Sequence, residues 1–600
     1  MIIRLYFFFI FLCVTATGFT QVQKASEQLS SISTHYTADY LVLNPLVATA
    51  RGRKGYNDKM EINISDDYIN SITQLNLRYL DSLKKVDISN LNEADKLTAR
   101  IFSFLLNREL DGFRHGITTS CMMLRPVDQF VFSFPTSFAA NAAGTGSIPF
   151  RSVQDYDDFL KRMPVFAQWI DISIQKMNEG LSIGNTTPKA AMLKVPAQLK
   201  PLYDTETTSH IYYKSILNLP DSFSNQQKQR LKSAYRDGVE NIIKPAYKRL
   251  HDYIVNVYIP GARTSSGLCD NNGGKIEYRY WLRFWTTQDP DPDSVFALGI
   301  SEVARNKKAM DSVTDGAGFK GDSKAFFSYV KTDPKFFPFT TEQEVLDNYR
   351  GLLTKITPAI NRMFNLVPKS RFEIRATEKF RQAGANAQYM RPAPDGSRPG
   401  IFYEVIPDPL AYNVVGMETL FLHEAIPGHH FQVALQQEMA LPDFRRSAFF
   451  GAFSEGWGLY AETLGPELGM YSDPYQYLGR LNADMERSVR LVVDIGIHYK
   501  GWSREQAIEY IVAHQPVTRE LAAQRVERYM VTPGQAISYK IGEQKILFLR
   551  RLAQQNLGAA FDIRDFHDQI LKDGAMPLDI LDQKIRDWIK SKAINPDVLK

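Results

Sequence analysis

Apolar residues recur at steps of three and four through most of this 600-residue chain, and that spacing decides its fold class. In "LKSAYRDGVENIIKPAYKRLHDYI", Leu231, Tyr235, Val239, Ile242, Ala246, Leu250 and Ile254 fall on one stripe. A helix that buries one face needs such a stripe, so these residues read as core. Similar periodicity runs through residues 66–84, 155–180, 342–364, 478–500, 504–530 and 536–556. A mainly α fold follows. Gly, Pro and Asp cluster at 271–275, 286–294 and 391–400, short enough to be loops inside one helical body. After the last, "IFYEVI" at 401–406 is rich in β-branched and aromatic side chains and predicts a strand of a small sheet near the active site. Such a strand is also a candidate edge for pairing with an extended peptide.

Composition narrows the class. Apolar residues make up 44% and charged residues 23%, as in ordinary globular proteins. A net charge of +5 without a long basic run argues against nucleic-acid binding. Residues 1–20 carry one cation, Arg4, then an apolar run from Leu5 to Val14 and small or polar residues. That layout predicts a signal peptide, with residues 21–600 as a single exported domain, periplasmic or secreted. Cys13 follows the bulky Leu12, which argues against a lipid anchor there. No later segment has the roughly 18 apolar residues of a membrane span. Cys121 and Cys269 would remain after cleavage, and spacing leaves their pairing open.

Histidine is scarce, ten in 600 residues, yet His423, His429 and His430 fall within "HEAIPGHH" at 423–430. A zinc site needs imidazole nitrogens, often a carboxylate, and one position left for water. In H-E-x-x-H the two histidines stand one helical turn apart, with the Glu as general base. Here the fourth position is Pro427, which cannot ligate and which interrupts a helix. In an unbroken helix His430 would lie about 10 Å along the axis from His423, too far for a shared ion. A bulge at Pro427–Gly428 brings His429 to the ligand position, so His429 is favoured, with His430 the alternative. "FSEGWGLYAE" at 453–462 adds Glu455 and Glu462 on one helix face. Glu455 is the candidate third ligand. Glu462 is read as a supporting group, a reader of substrate charge, or a plain structural carboxylate.

"HEAIPGHHFQ", "FSEGWGLYAE" and "TPGQAISYKIGEQKILFLR" together resemble the signature segments of the bacterial domain of unknown function 885 family. That family is similar to the gluzincin peptidases, among them angiotensin-converting enzyme, thimet oligopeptidase and carboxypeptidase Taq. The resemblance implies a helical zinc-peptidase body with the last ligand on the helix after the H-E helix, matching Glu455. It also implies a late Tyr, and often a His, that stabilise the oxyanion, matching Tyr539 in "SYKIG" and His498 in "DIGIHYKGW". A phenol keeps its proton at neutral pH and can donate to a developing oxyanion. His498 reads equally as a buried imidazole bonded to Asp494. One departure stands: the family pattern has a His in the segment matching "DSVFALGISEVAR", where this chain has Ala297.

The expected protein is an exported Zn²⁺ metallopeptidase that hydrolyses short peptides. His423, His429 and Glu455 would hold the metal, Glu424 would be the general base, and Tyr539 with His498 would stabilise the oxyanion. A metal-binding scaffold without turnover and a zinc amidohydrolase on a non-peptide amide are the alternatives. Arg398, Arg528 and Lys540 are candidates for recognising a substrate carboxylate, with solvated charges the default reading.

Overall fold

The structure, a computed structural model, describes residues 2–117, 122–128, 134–377, 379, 387–393, 396 and 398–594. Most of these residues are helical, and the strands form one three-stranded sheet, which is the mainly α class that the periodicity predicts. The chain divides into two compact units, Met1–Tyr280 with Ile497–Arg504, and Trp281–Gly496 with Glu505–Lys600.

In the first unit, residues 2–20, read above as a signal peptide, begin a helix that runs Ile2–Leu43. No helix among the described residues is long and apolar enough to cross a membrane. The core is aromatic: Phe138 and Phe166 stack with ring centres 4.5 Å apart, and Tyr247 packs on Phe166 at 5.5 Å. The periodic segment through 231–254 is helical but contains two π-turns, Val239–Ile243 and Ile254–Tyr258. A π-turn holds one more residue than an α-turn. The buried stripe therefore continues through Ile243, while Ile242, expected there, is only half-buried.

The second unit carries the sheet: β1 (Phe372–Ala376), β2 (Gln388–Met390) and β3 (Gly400–Glu404). β3 is central, parallel to β1 and antiparallel to β2. This corrects the reading of "IFYEVI" as a peptide-pairing edge, because both of its flanks already have partners. The helices after the sheet include α1 (Met417–Glu424), α2 (His429–Glu438), α3 (Gly451–Thr463), α4 (Pro474–His498), α5 (Arg504–His514), α6 (Arg519–Val531) and α7 (Ser538–Leu557). The stretch 504–530, periodic throughout, is two helices. Pro516 lacks a donor and turns Gln515 away from helical geometry, and Thr518 caps α6 by accepting from the Leu521 N–H.

α3 and α7 meet backbone to backbone. A Cβ on Gly456 would lie 2.5 Å from the Gly542 Cα, so neither helix tolerates a side chain at the crossing. The contact fixes Glu455 on α3 and Tyr539 on α7 within one turn of the same crossing. Lys540 is fully buried among Glu302 at 3.0 Å, Glu543 at 2.6 Å and Asp484. It is an internal tie between α7 and α4, not the solvated charge expected from sequence.

Candidate metal centre

The break at Pro427–Gly428 is complete. α1 stops at Glu424 and α2 starts at His429, with a cis peptide between Ile426 and Pro427. Two features stabilise it. A Cβ at position 428 would run into the His423 carbonyl, so only glycine lets the chain double back this closely. The carbonyls that the break frees are also satisfied: the Trp457 indole donates to Pro427 O at 2.8 Å and Gly428 O at 3.2 Å, as buried backbone groups require. The His430 N–H donates to Ala425 O at 3.2 Å, five residues back.

The break sets His429 beside His423, their ring centres 4.8 Å apart and nearly perpendicular. Nε2 of each lies 3.6 Å from Glu455 Oε2. The donor atoms of His423, His429 and Glu455 all fall within 4.8 Å of one another. Two donors about 2.1 Å from a tetrahedral ion stand about 3.4 Å apart, so this set fits Zn²⁺ with one position open. On the other face of the His423 ring, Nδ1 meets Glu462 Oε1 at 2.8 Å. Glu455 and Glu462, two turns apart on α3, thus grip the same imidazole from both sides. Gly458 between them makes room for it, since a Cβ there would lie 2.7 Å from His423 Cε1.

Electrostatics follow the geometry. Burial opposes charge on His423, yet Glu455 and Glu462 outweigh it and push its pKa up to about 10. Burial likewise opposes ionisation of Glu455, but His423 and His429 hold it well below the usual carboxylate range. Glu424, beside His423, is pushed upward by burial against the pull of His429, His423 and Arg487. Tyr539 is pushed up to about 12, first by burial and then by Glu455, so it stays protonated within electrostatic range of the cluster. Its ring centre lies 5.1 Å from the Arg490 guanidinium.

His430 points elsewhere. Its Nδ1 meets the Tyr389 hydroxyl of β2 at 3.0 Å, and its ring packs on Phe372 of β1. Burial pushes it down to about 4, so it is a neutral tie between α2 and the sheet. His498 lies in the first unit, where its Nδ1 accepts from the Leu268 N–H at 3.2 Å and its ring stacks on Tyr278. Asp494 accepts from the Gly534 N–H at 3.0 Å. Cys269 is a free thiol, and Cys121 lies outside the described residues.

Two groups near the centre escape a reading of sequence alone. Glu404 of β3 is buried, its carboxyl is pushed up to about 7 chiefly by burial, and it feels Glu424. The signal was a single carboxylate inside the apolar run "GIFYEVI". Arg487 of α4 acts on both Glu424 and Tyr539, and nothing local in the sequence marks it.

Fold and site together define a mainly helical protein with a His–His–Glu cluster built across a broken helix. The chain belongs to the domain of unknown function 885 family, described as bacterial protein of unknown function, whose profile matches residues 45–585. Among solved structures it is similar to a candidate lipoprotein from Colwellia psychrerythraea, with 28% identity, a TM-score of 0.85, and 95% of this chain and 100% of that chain covered. A candidate lipoprotein of unknown function from Shewanella oneidensis shares the fold at 17% identity, with a TM-score of 0.69 and 92% and 99% coverage. No curated protein matches the chain.

Proposed function

We propose that this protein is an exported zinc-dependent peptidase of the gluzincin type that hydrolyses short peptides. The observation that carries the reading is the convergence of His423 Nε2 and His429 Nε2 on Glu455 Oε2, each at 3.6 Å, with Glu424 directly after the first ligand. When bound, the ion supplies Lewis acidity that polarises a carbonyl and makes water acidic. Glu424 takes the proton of the attacking water and returns it to the departing amine, a task suited to a carboxylate raised toward neutrality. Tyr539 keeps its proton and donates a hydrogen bond to the carbonyl oxygen as charge develops. Glu462 orients His423 and makes it a better ligand.

Export is supported by the apolar N-terminal segment and by the lipoprotein description of both solved relatives. Cys13 is the cysteine of that segment to which a lipid anchor would attach. Mass spectrometry of the mature N-terminus separates cleavage from lipidation.

The test is metal removal. The protein is stripped with a chelator, reloaded with Zn²⁺ and offered a library of short peptides. Cleavage lost on stripping and restored on reloading supports the peptidase reading. Tight zinc with every peptide intact contradicts it and favours a binding role.

A further inference from the structure

Arg487 differs from the cations around it. Arg490, one turn further along α4, bonds Glu486 and covers the Tyr539 ring. Arg525 of α6 reaches the same Glu486 at 3.1 Å and Gln515 at 2.7 Å. Arg487 donates to a carbonyl of its own helix, from Nη1 to Ala483 O at 3.2 Å. Its buried Nε has no hydrogen-bond partner, and among the described residues no carboxylate pairs with it.

Arg490, Arg487 and Arg525 together hold the Glu486 carboxylate down to about 2 against the effect of burial. Arg487 is half-buried, with Nε covered and unpartnered, so its guanidinium has donors to spare for a ligand. Arg487 stands one turn before Arg490 on α4, and Arg490 covers the Tyr539 ring at 5.1 Å; Arg487 also acts through space on Tyr539 and on the candidate base Glu424. The anion that it lacks would therefore sit next to the bond being cut.

Resting on the peptidase reading, we propose that Arg487 binds a carboxylate of the substrate, so that preferred peptides carry a free C-terminus or an acidic side chain close to the scissile bond. The guanidinium fork suits a planar carboxylate, which it can hold through two parallel bonds. Lysine, a point charge, would hold it less well.

The experiment uses the zinc-loaded protein and three peptides of one core sequence: the free acid, the C-terminal amide, and the amide with Glu at the final position. kcat and KM are measured separately for wild type, Arg487→Gln and Arg487→Lys. A bond to a charged group is worth about 10- to 100-fold in affinity, so wild type should show a KM lower by that factor for a carboxylate peptide than for the neutral amide. Preference for the free acid assigns the C-terminus, and preference for the Glu amide assigns the side chain. In Arg487→Gln the ratio of the two KM values falls toward one, and Arg487→Lys keeps part of it. Equal KM values for all three peptides in wild type overturn the inference and leave the peptidase reading intact. A uniform drop in kcat in Arg487→Gln with the KM ratio preserved also overturns it, because Arg487 then acts only through Glu424. Failure of the zinc-loaded wild type to cut any library peptide removes the peptidase reading, and the inference with it.

Discussion

Glu462 Oε1 lies 2.8 Å from His423 Nδ1, on the side of the imidazole away from Glu455. A carboxylate in this position fixes the ring's orientation and tautomer and strengthens Nε2 as a donor. Glu462→Ala should weaken zinc binding by about 10- to 100-fold, measured by competition with a chelator. Glu462→Gln, which keeps a polar contact without the charge, should fall between. Unchanged affinity in both variants would make Glu462 a purely structural group.

His429 and His430 are adjacent in sequence and serve different neighbours. His429→Ala should abolish stoichiometric zinc because it removes one of the three candidate ligand atoms. His430→Ala should keep zinc and lower the unfolding temperature, since it breaks the contacts with Tyr389 and Phe372. Metal analysis beside thermal unfolding separates the two effects.

Stability of the metal-free protein should fall in mild acid. His430 and His567 are neutral in the folded state, and burial pushes them down to about 4 and about 3. Unfolded, each titrates near 6.5. Their contribution is therefore complete above about 6.5 and is lost as pH drops toward the folded values. Glu404 opposes this trend, because its carboxyl is pushed up to about 7 and its stabilisation is lost as pH rises through that value. His567 bonds Tyr460 through Nε2 and Met363 O through Nδ1, far in sequence from the ligands. In His567→Gln the fall in unfolding temperature between pH 6.5 and 4 should be shallower than in wild type.

Tyr539→Phe removes one hydroxyl from a half-buried phenol. Loss of an oxyanion donor costs about 10²- to 10³-fold in kcat, with KM close to wild type. Full activity in this variant would assign oxyanion stabilisation to another group.

Much of this was legible in the sequence. The helices Asp66–Lys84 and Glu342–Met363 follow from apolar spacing, and Pro427–Gly428 forces the break that His429 needs. Which imidazole faces the cluster was legible only as a preference for His429 over His430, because the chain's direction across Ala425–Gly428 depends on the Trp457 and Ala425 hydrogen bonds. The shift from Ile242 to Ile243 was hidden too, since one apolar run suits either an α-turn or a π-turn. The central place of β3 depends on pairing with residues 28 and 11 to 15 positions before it, with no local signature. Gly456 and Gly458 looked like ordinary helix glycines until Gly542 and the His423 ring were seen against them.

The central claim is that Glu424 moves the proton in a zinc-dependent hydrolysis, and the direct test is the steady-state rate of zinc-loaded Glu424→Gln on a peptide that the wild type cleaves. The account predicts full zinc occupancy in the variant and a kcat lower by about 10²- to 10⁴-fold. A variant that holds zinc and cleaves as fast as the wild type would contradict it.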